Sequence, residues 1–111
     1  MNIKIVTEKI SRSEAKKIAE EIYGDMVEGV VDIERGIIAL GGQYHMDGNM
    51  ALIDNGSEKK NIWGFNFYPD ENRIQYNSLI NIRPLQNNRA IEIKDEKLRL
   101  QMEKVIRKLI I

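Results

Sequence analysis

Apolar and polar positions along this chain change period several times, and each change marks an element. Ile3 and Ile5 flank Lys4 in a short alternating run that predicts a first strand over residues 2–7. Ser11-Arg12-Ser13-Glu14 has the spacing of a capping box, with Ile10 and Ala15 placed as a hydrophobic staple. Ala15, Ile18, Ala19 and Ile22 then repeat every three to four residues, and Gly24 supplies a left-handed stop, so a helix is expected over residues 12–23. Residues 27–33 alternate again, with Val27, Val31 and Ile33 opposite Glu28 and Asp32. Glu34-Arg35-Gly36 turns that strand into Ile37-Ile38-Ala39-Leu40, whose unbroken apolar run suits a strand covered on both faces.

Gly41-Gly42 permits a bulge or a close backbone approach. Beyond it, period-two sorting predicts a strand running to Ile53, with Tyr44, Met46, Met50 and Leu52 on one face and Gln43, His45, Asp47 and Asn49 on the other. Asp54-Asn55-Gly56-Ser57 reads as a turn between strands. Trp63, Phe65 and Phe67 alternate with Gly64 and Asn66 in the next strand and are expected in the core. Residues 74–83 alternate once more, until Pro84, which has no N–H to give, ends the ladder. Asp95 caps a last helix with the stripe Leu98, Met102, Val105, Ile106 and Leu109, and its acidic start and basic end suit the helix dipole. The order predicts an α+β two-layer sandwich: a mostly antiparallel sheet of five to six strands with two helices on one face. The polar face of the His45 strand would then be the open one.

With 111 residues and no linker or repeat, the chain is expected to form a single domain, residues 1–111. It has no cysteine, which removes zinc–thiolate, iron–sulfur and dithiol chemistry. No apolar stretch has the length of a membrane span or the form of a signal peptide, so a cytoplasmic location is the expectation and no membrane partner is implied. Seventeen basic residues balance seventeen acidic ones, and that zero net charge argues against general nucleic-acid binding.

Candidate chemistry gathers in two places. His45, the sole histidine, lies two residues from Asp47, a pairing that can serve as general base and orienter. As metal ligands the two fall short of a closed site, and the further His and Cys ligands zinc favours are absent. Asn81, Arg83, Asn88 and Arg89 cluster near a strand end, where guanidinium groups can hold phosphate or carboxylate. Gln43 belongs with His45 on the same predicted face. Each group also has a plain structural reading, as a His–Asp hydrogen bond on an exposed strand and as a loop tied by its own amides and ion pairs.

The motifs Tyr23-Gly24-Asp25-Met26-Val27, Gly41-Gly42-x-x-His45-x-Asp47, Trp63-Gly64-x-Asn66-x-Tyr68-Pro69 and Ser78-Leu79-Ile80-Asn81-Ile82-Arg83-Pro84 with Asn88-Arg89 span nearly the whole chain. In them the chain resembles a family of small prokaryotic proteins catalogued as a domain of unknown function. The resemblance implies acids in relatives at the positions of Gln43 and Asn49, which would make a metal site there. The amides in this chain are much poorer ligands for hard divalent cations, so a metal is disfavoured. Three functions are thus in view. The first is a small-ligand site, anionic or polar in preference and open to catalysis by His45 and Asp47. The second is a protein-interaction or homodimerisation module using the polar face or an edge strand. RNA binding is third.

Overall fold

The computed structural model describes residues 2–111. Its elements run β1 (Ile3–Val6), α1 (Arg12–Glu20), β2 (Val27–Asp32), β3 (Ile37–Gly41), α2 (His45–Asp54), β4 (Ile62–Tyr68), β5 (Arg73–Gln75) and α3 (Glu96–Leu109). The strands form one antiparallel sheet in the order β1-β3-β2-β4-β5. Local chemistry explains the joints. Ser11 Oγ accepts the Glu14 N–H at 3.1 Å to start α1, and Gly24 ends its last turn at φ +91°. Asp32 Oδ1 accepts the N–H groups of Glu34 and Arg35 at 2.9 and 3.0 Å, which folds the β2–β3 hairpin.

Alternation sends Val27 and Val31 of β2, Ile38 and Leu40 of β3, and Trp63, Phe65 and Phe67 of β4 to one face. There they meet Ala15 and Ala19 of α1 and Met102, Ile106 and Leu109 of α3. Both expected helices thus contribute to one core with the sheet, and the aromatic residues of β4 lie in that core as their spacing predicts.

The other face departs from expectation. Residues 45–54 form a helix rather than a strand, and α2 packs on the face expected to be open, so both faces of the sheet are covered. Leu52 of α2 joins Val30, Ile37, Ala39 and Ile62 in a second, smaller core. The side chains aimed at the sheet are His45, Gly48, Asn49 and Leu52, at i, i+3, i+4 and i+7, which is a helical stripe whose members are mostly not apolar. Gly48 makes the close approach possible, since a Cβ there would come within 3.0 Å of Val30 Cγ2. Residues 74–83 also depart from a single strand. Pairing stops at Gln75, and after Ser78, whose Oγ accepts the Ile80 N–H, the chain coils into a 3-10 turn, Leu79–Asn81.

Candidate functional site

Gly41 and Gly42, at φ +108° and +85°, swing the chain out of β3, and a Cβ at Gly41 would come within 2.6 Å of the Asn2 carbonyl oxygen. Asp47 Oδ2 then accepts the N–H groups of Gln43 and Tyr44, both at 3.0 Å, which satisfies donors at the start of α2. This sets His45, the first residue of the helix, over β4. Its Nε2 lies 2.9 Å from the Phe65 carbonyl oxygen and 2.8 Å from Asn66 Oδ1. The Asn66 amide cannot be reversed without loss, because its Nδ2 donates to Gln75 Oε1 at 2.9 Å, an oxygen that also accepts from the Tyr68 hydroxyl. Nε2 therefore faces two acceptors, and the hydrogen-bond pattern assigns it the proton.

That assignment leaves Nδ1 facing Glu28 Oε2 at 3.4 Å. Glu28 is the cross-strand partner of Asn66, and the Glu28 and His45 side chains are only 13% and 10% exposed. A bare carboxylate against a bare Nδ1 would oppose two lone pairs, so one proton has to lie between them. Their separation is within ion-pair reach, yet burial drives both groups toward the neutral form. Burial, aided by the negative charge of Asp47, pushes the Glu28 carboxyl up to about 7. Burial also holds the His45 imidazole below its ordinary value, against the opposing pull of its bonds to Phe65 and Asn66. The proton is thus best placed on Glu28, donated toward Nδ1.

A pH signature follows. Between its ordinary value of 4.5 and about 7, Glu28 keeps in the folded state a proton that the unfolded chain has lost. Its contribution to stability therefore falls as pH rises through that window and levels off above it. His45 acts in the opposite sense, losing stability as pH falls below its ordinary 6.5. Glu28→Gln keeps the shape and donates to Nδ1 at any pH. At pH 8 it is expected to be more stable than the parent by about 1–3 kcal/mol, with the gap closing at pH 5, as read by urea unfolding. A less stable Glu28→Gln at pH 8 would instead mark a charged pair.

The pair lies at the floor of a cleft of about 680 Å³. Tyr44 and Met46 at the start of α2 form one wall, and Leu79, Ile80 and Ile91 form the other. Tyr44 is 63% and Leu79 78% exposed, although both are large and largely apolar. Glu28 was not among the residues singled out from the sequence.

The other residues expected at a site are placed as follows. Asp47 bonds the chain before α2 rather than the His45 ring, and Gln43 sits on the exposed approach with its carbonyl accepting from the Tyr23 hydroxyl. Asn81 is fully buried: Oδ1 accepts the Gly64 N–H at 2.8 Å, and Nδ2 donates to the carbonyls of Gly64 and Ile91 at 3.0 and 3.3 Å. Arg83 lies 4.3 Å over the Trp63 ring and donates to the carbonyls of Ile80, Lys59 and Ile62. Asn88 ties the loop, donating to the carbonyls of Asn81 and Ala90 at 2.8 Å each and accepting the Lys94 N–H. Arg89 is exposed, and among the described residues it makes no hydrogen bond or ion pair. Arg83 thus grips the start of β4 while His45 grips Phe65 and Asn66, roughly 10 Å farther along the strand at the usual rise. The two expected clusters do not converge. Among the described residues no three His, Cys, Asp or Glu side chains gather as a metal would need. Nor is any helix there long and apolar enough to cross a membrane.

Fold and site together define a small α+β protein: one five-stranded antiparallel sheet, three helices, and a buried Glu–His pair under a cleft. Residues 4–109 match the family described as Protein of unknown function (DUF5674), and the chain belongs to it. No curated protein and no solved structure matches the chain.

Proposed function

We propose that this protein, with residues 1–111 acting as one domain, binds a small molecule in the cleft over Glu28 and His45. One observation carries the reading: exposed apolar walls converge on a buried pair that can gain or release a proton. A pocket with an apolar body and a few convergent polar groups is the usual form of a small-ligand site. Acid–base work, if the ligand is transformed, falls to His45 with Glu28 rather than Asp47 as its partner. The anion-binding role considered for Asn81, Arg83 and Asn88 finds little support, because their polar atoms hold backbone groups. Arg89 is the one member of that set left with a free cation.

Titration of the 15N-labelled protein with a library of small neutral fragments tests the proposal. Amide shifts are expected to cluster at Glu28, His45, Asn66 and Gln75. Because Leu79 is so exposed, Leu79→Arg should leave stability within about 0.5 kcal/mol. The same change should weaken the fragments about tenfold, a difference of 1.4 kcal/mol. Shifts elsewhere, or equal binding by Leu79→Arg, would remove the cleft as the site.

The exposure of Tyr44, Met46 and Leu79 also favours a second reading, in which a protein partner or second copy covers the same walls. Sedimentation of the pure protein would then show a dimer that Leu79→Arg disperses. RNA binding ranks behind both, since among the described residues no Lys or Arg lines the cleft.

A further inference from the structure

The charge around the Glu28–His45 cleft is one-sided. Among the described residues Glu28 is the only formally charged one lining it, and a second cavity that Glu28 also borders, of about 230 Å³, adds Glu21 and no Lys or Arg. Glu28 Oε1 is buried and has no hydrogen-bond donor among the described residues, while Oε2 is turned to His45. An acceptor left this way is costly, and a ligand that brings a donor relieves the cost. The start of α2 carries its own carboxylate, since Asp47 Oδ2 accepts the N–H groups of Gln43 and Tyr44 just before the helix. Among the described residues no Lys or Arg lines the cleft.

Resting on the reading of this cleft as a ligand site, we infer that its ligand is a small organic cation. A primary or secondary ammonium would face the Glu28 carboxylate, and an apolar body would lie between Tyr44 and Leu79. Binding ionises Glu28: the proton shared with His45 Nδ1 leaves to solvent, one proton for each ammonium bound, and an ammonium N–H takes its place between the carboxylate and Nδ1. The other titratable groups facing Glu28 are His45 and Asp47 of α2 and Tyr23 beyond α1. Burial holds His45 below its ordinary value, Tyr23 is a phenol and so neutral near pH 7, and Asp47 adds negative charge that also favours a cation.

Three probes of matched shape test this by NMR titration: 3-phenylpropylamine, 3-phenylpropanamide and 3-phenylpropanoate. The amine is expected to bind about tenfold more tightly than the other two, as a charge-assisted bond exceeds a neutral one. Its affinity should rise about tenfold from pH 6 to pH 8 as Glu28 becomes easier to ionise. Glu28→Gln should abolish both the preference and the pH dependence, and the pH series on the parent protein stands even if that variant folds poorly. Equal or tighter binding of the amide or the propanoate in the cleft would overturn the cation inference and leave the ligand site standing. An amine preference that survives Glu28→Gln would do the same. If none of the three perturbs the residues around Glu28, both readings fall.

Discussion

Asn81→Ala is expected to destabilise the protein by about 2–4 kcal/mol, because it strands buried backbone groups rather than merely deleting contacts. Strand β5 pairs with β4 only from Asn66 to Tyr68, so the outward N–H and C=O of Gly64 have no strand beside them. The Asn81 amide presents one acceptor and one donor to that peptide edge, as a neighbouring strand would. Arg83 does the same for the Ile62 carbonyl. Alanine at 81 leaves the N–H and C=O of buried Gly64 with no partner. Urea unfolding should show the loss, and the melting temperature should drop by roughly 10 °C. Asn81→Asp is the informative companion: it keeps an acceptor for the N–H, sets a carboxylate against the Gly64 carbonyl, and should be at least as damaging. A loss below about 0.5 kcal/mol for Asn81→Ala would mean that water or a shifted loop serves Gly64 instead.

Gly29→Ala should cost about 3 kcal/mol, for a reason of space. Gly29 of β2 lies directly opposite Phe65 of β4, and the Phe65 ring is folded across it. A Cβ at position 29 would stand 2.4 Å from Phe65 Cζ. The ring is fully buried and cannot yield without displacing its neighbours, so the overpacking passes into the main core. Gly29→Val should prevent folding. The decisive measurement is a double-mutant cycle with Phe65→Leu, which shortens the obstructing side chain. Coupling of about 1 kcal/mol or more is expected, with the double variant more stable than the sum of its parts. Strict additivity would show that the glycine is needed for something other than the ring.

The sequence and the structure agree where hydrophobic period and burial coincide. The stripes of Ala15 and Ala19 and of Met102, Ile106 and Leu109 mark α1 and α3, and Trp63, Phe65 and Phe67 mark the inner face of β4. They part at α2. Its sheet-facing stripe is His45, Gly48, Asn49 and Leu52, so a helix that buries polar and small residues presents no apolar period. Tyr44, Met46 and Met50 supplied an alternation instead, and all three prove exposed. Asp47, placed to bond the preceding N–H groups, was the local signal of a helix start.

Glu28 escaped notice for a related reason. On the alternation of β2 it belongs to a polar side, which for a sheet with one covered face means solvent. The unbroken run Ile37-Ile38-Ala39-Leu40 was the counter-signal, since a strand buried on both faces puts its neighbour's second face under cover too. Of the two expected clusters, the one at His45 gathers Glu28 rather than Asp47 beside the ring. The amides and Arg83 proved to be carpentry for the sheet.

That carpentry bears on how the chain behaves in company. Ile62-Trp63-Gly64-Phe65-Asn66-Phe67-Tyr68 carries no charge and no proline, a composition that favours stacking of identical strands from different molecules. Strand β5 shields only its far end, and the nearer half of that border would otherwise be an open template for a neighbour's backbone. Finishing the border with the amide of Asn81 and the guanidinium of Arg83 makes it unavailable to a copy of itself, because a side chain can complete a peptide edge without offering a new one. Asn81 and Arg83, expected at an anion site, thus close an edge that a second copy of the chain could otherwise extend.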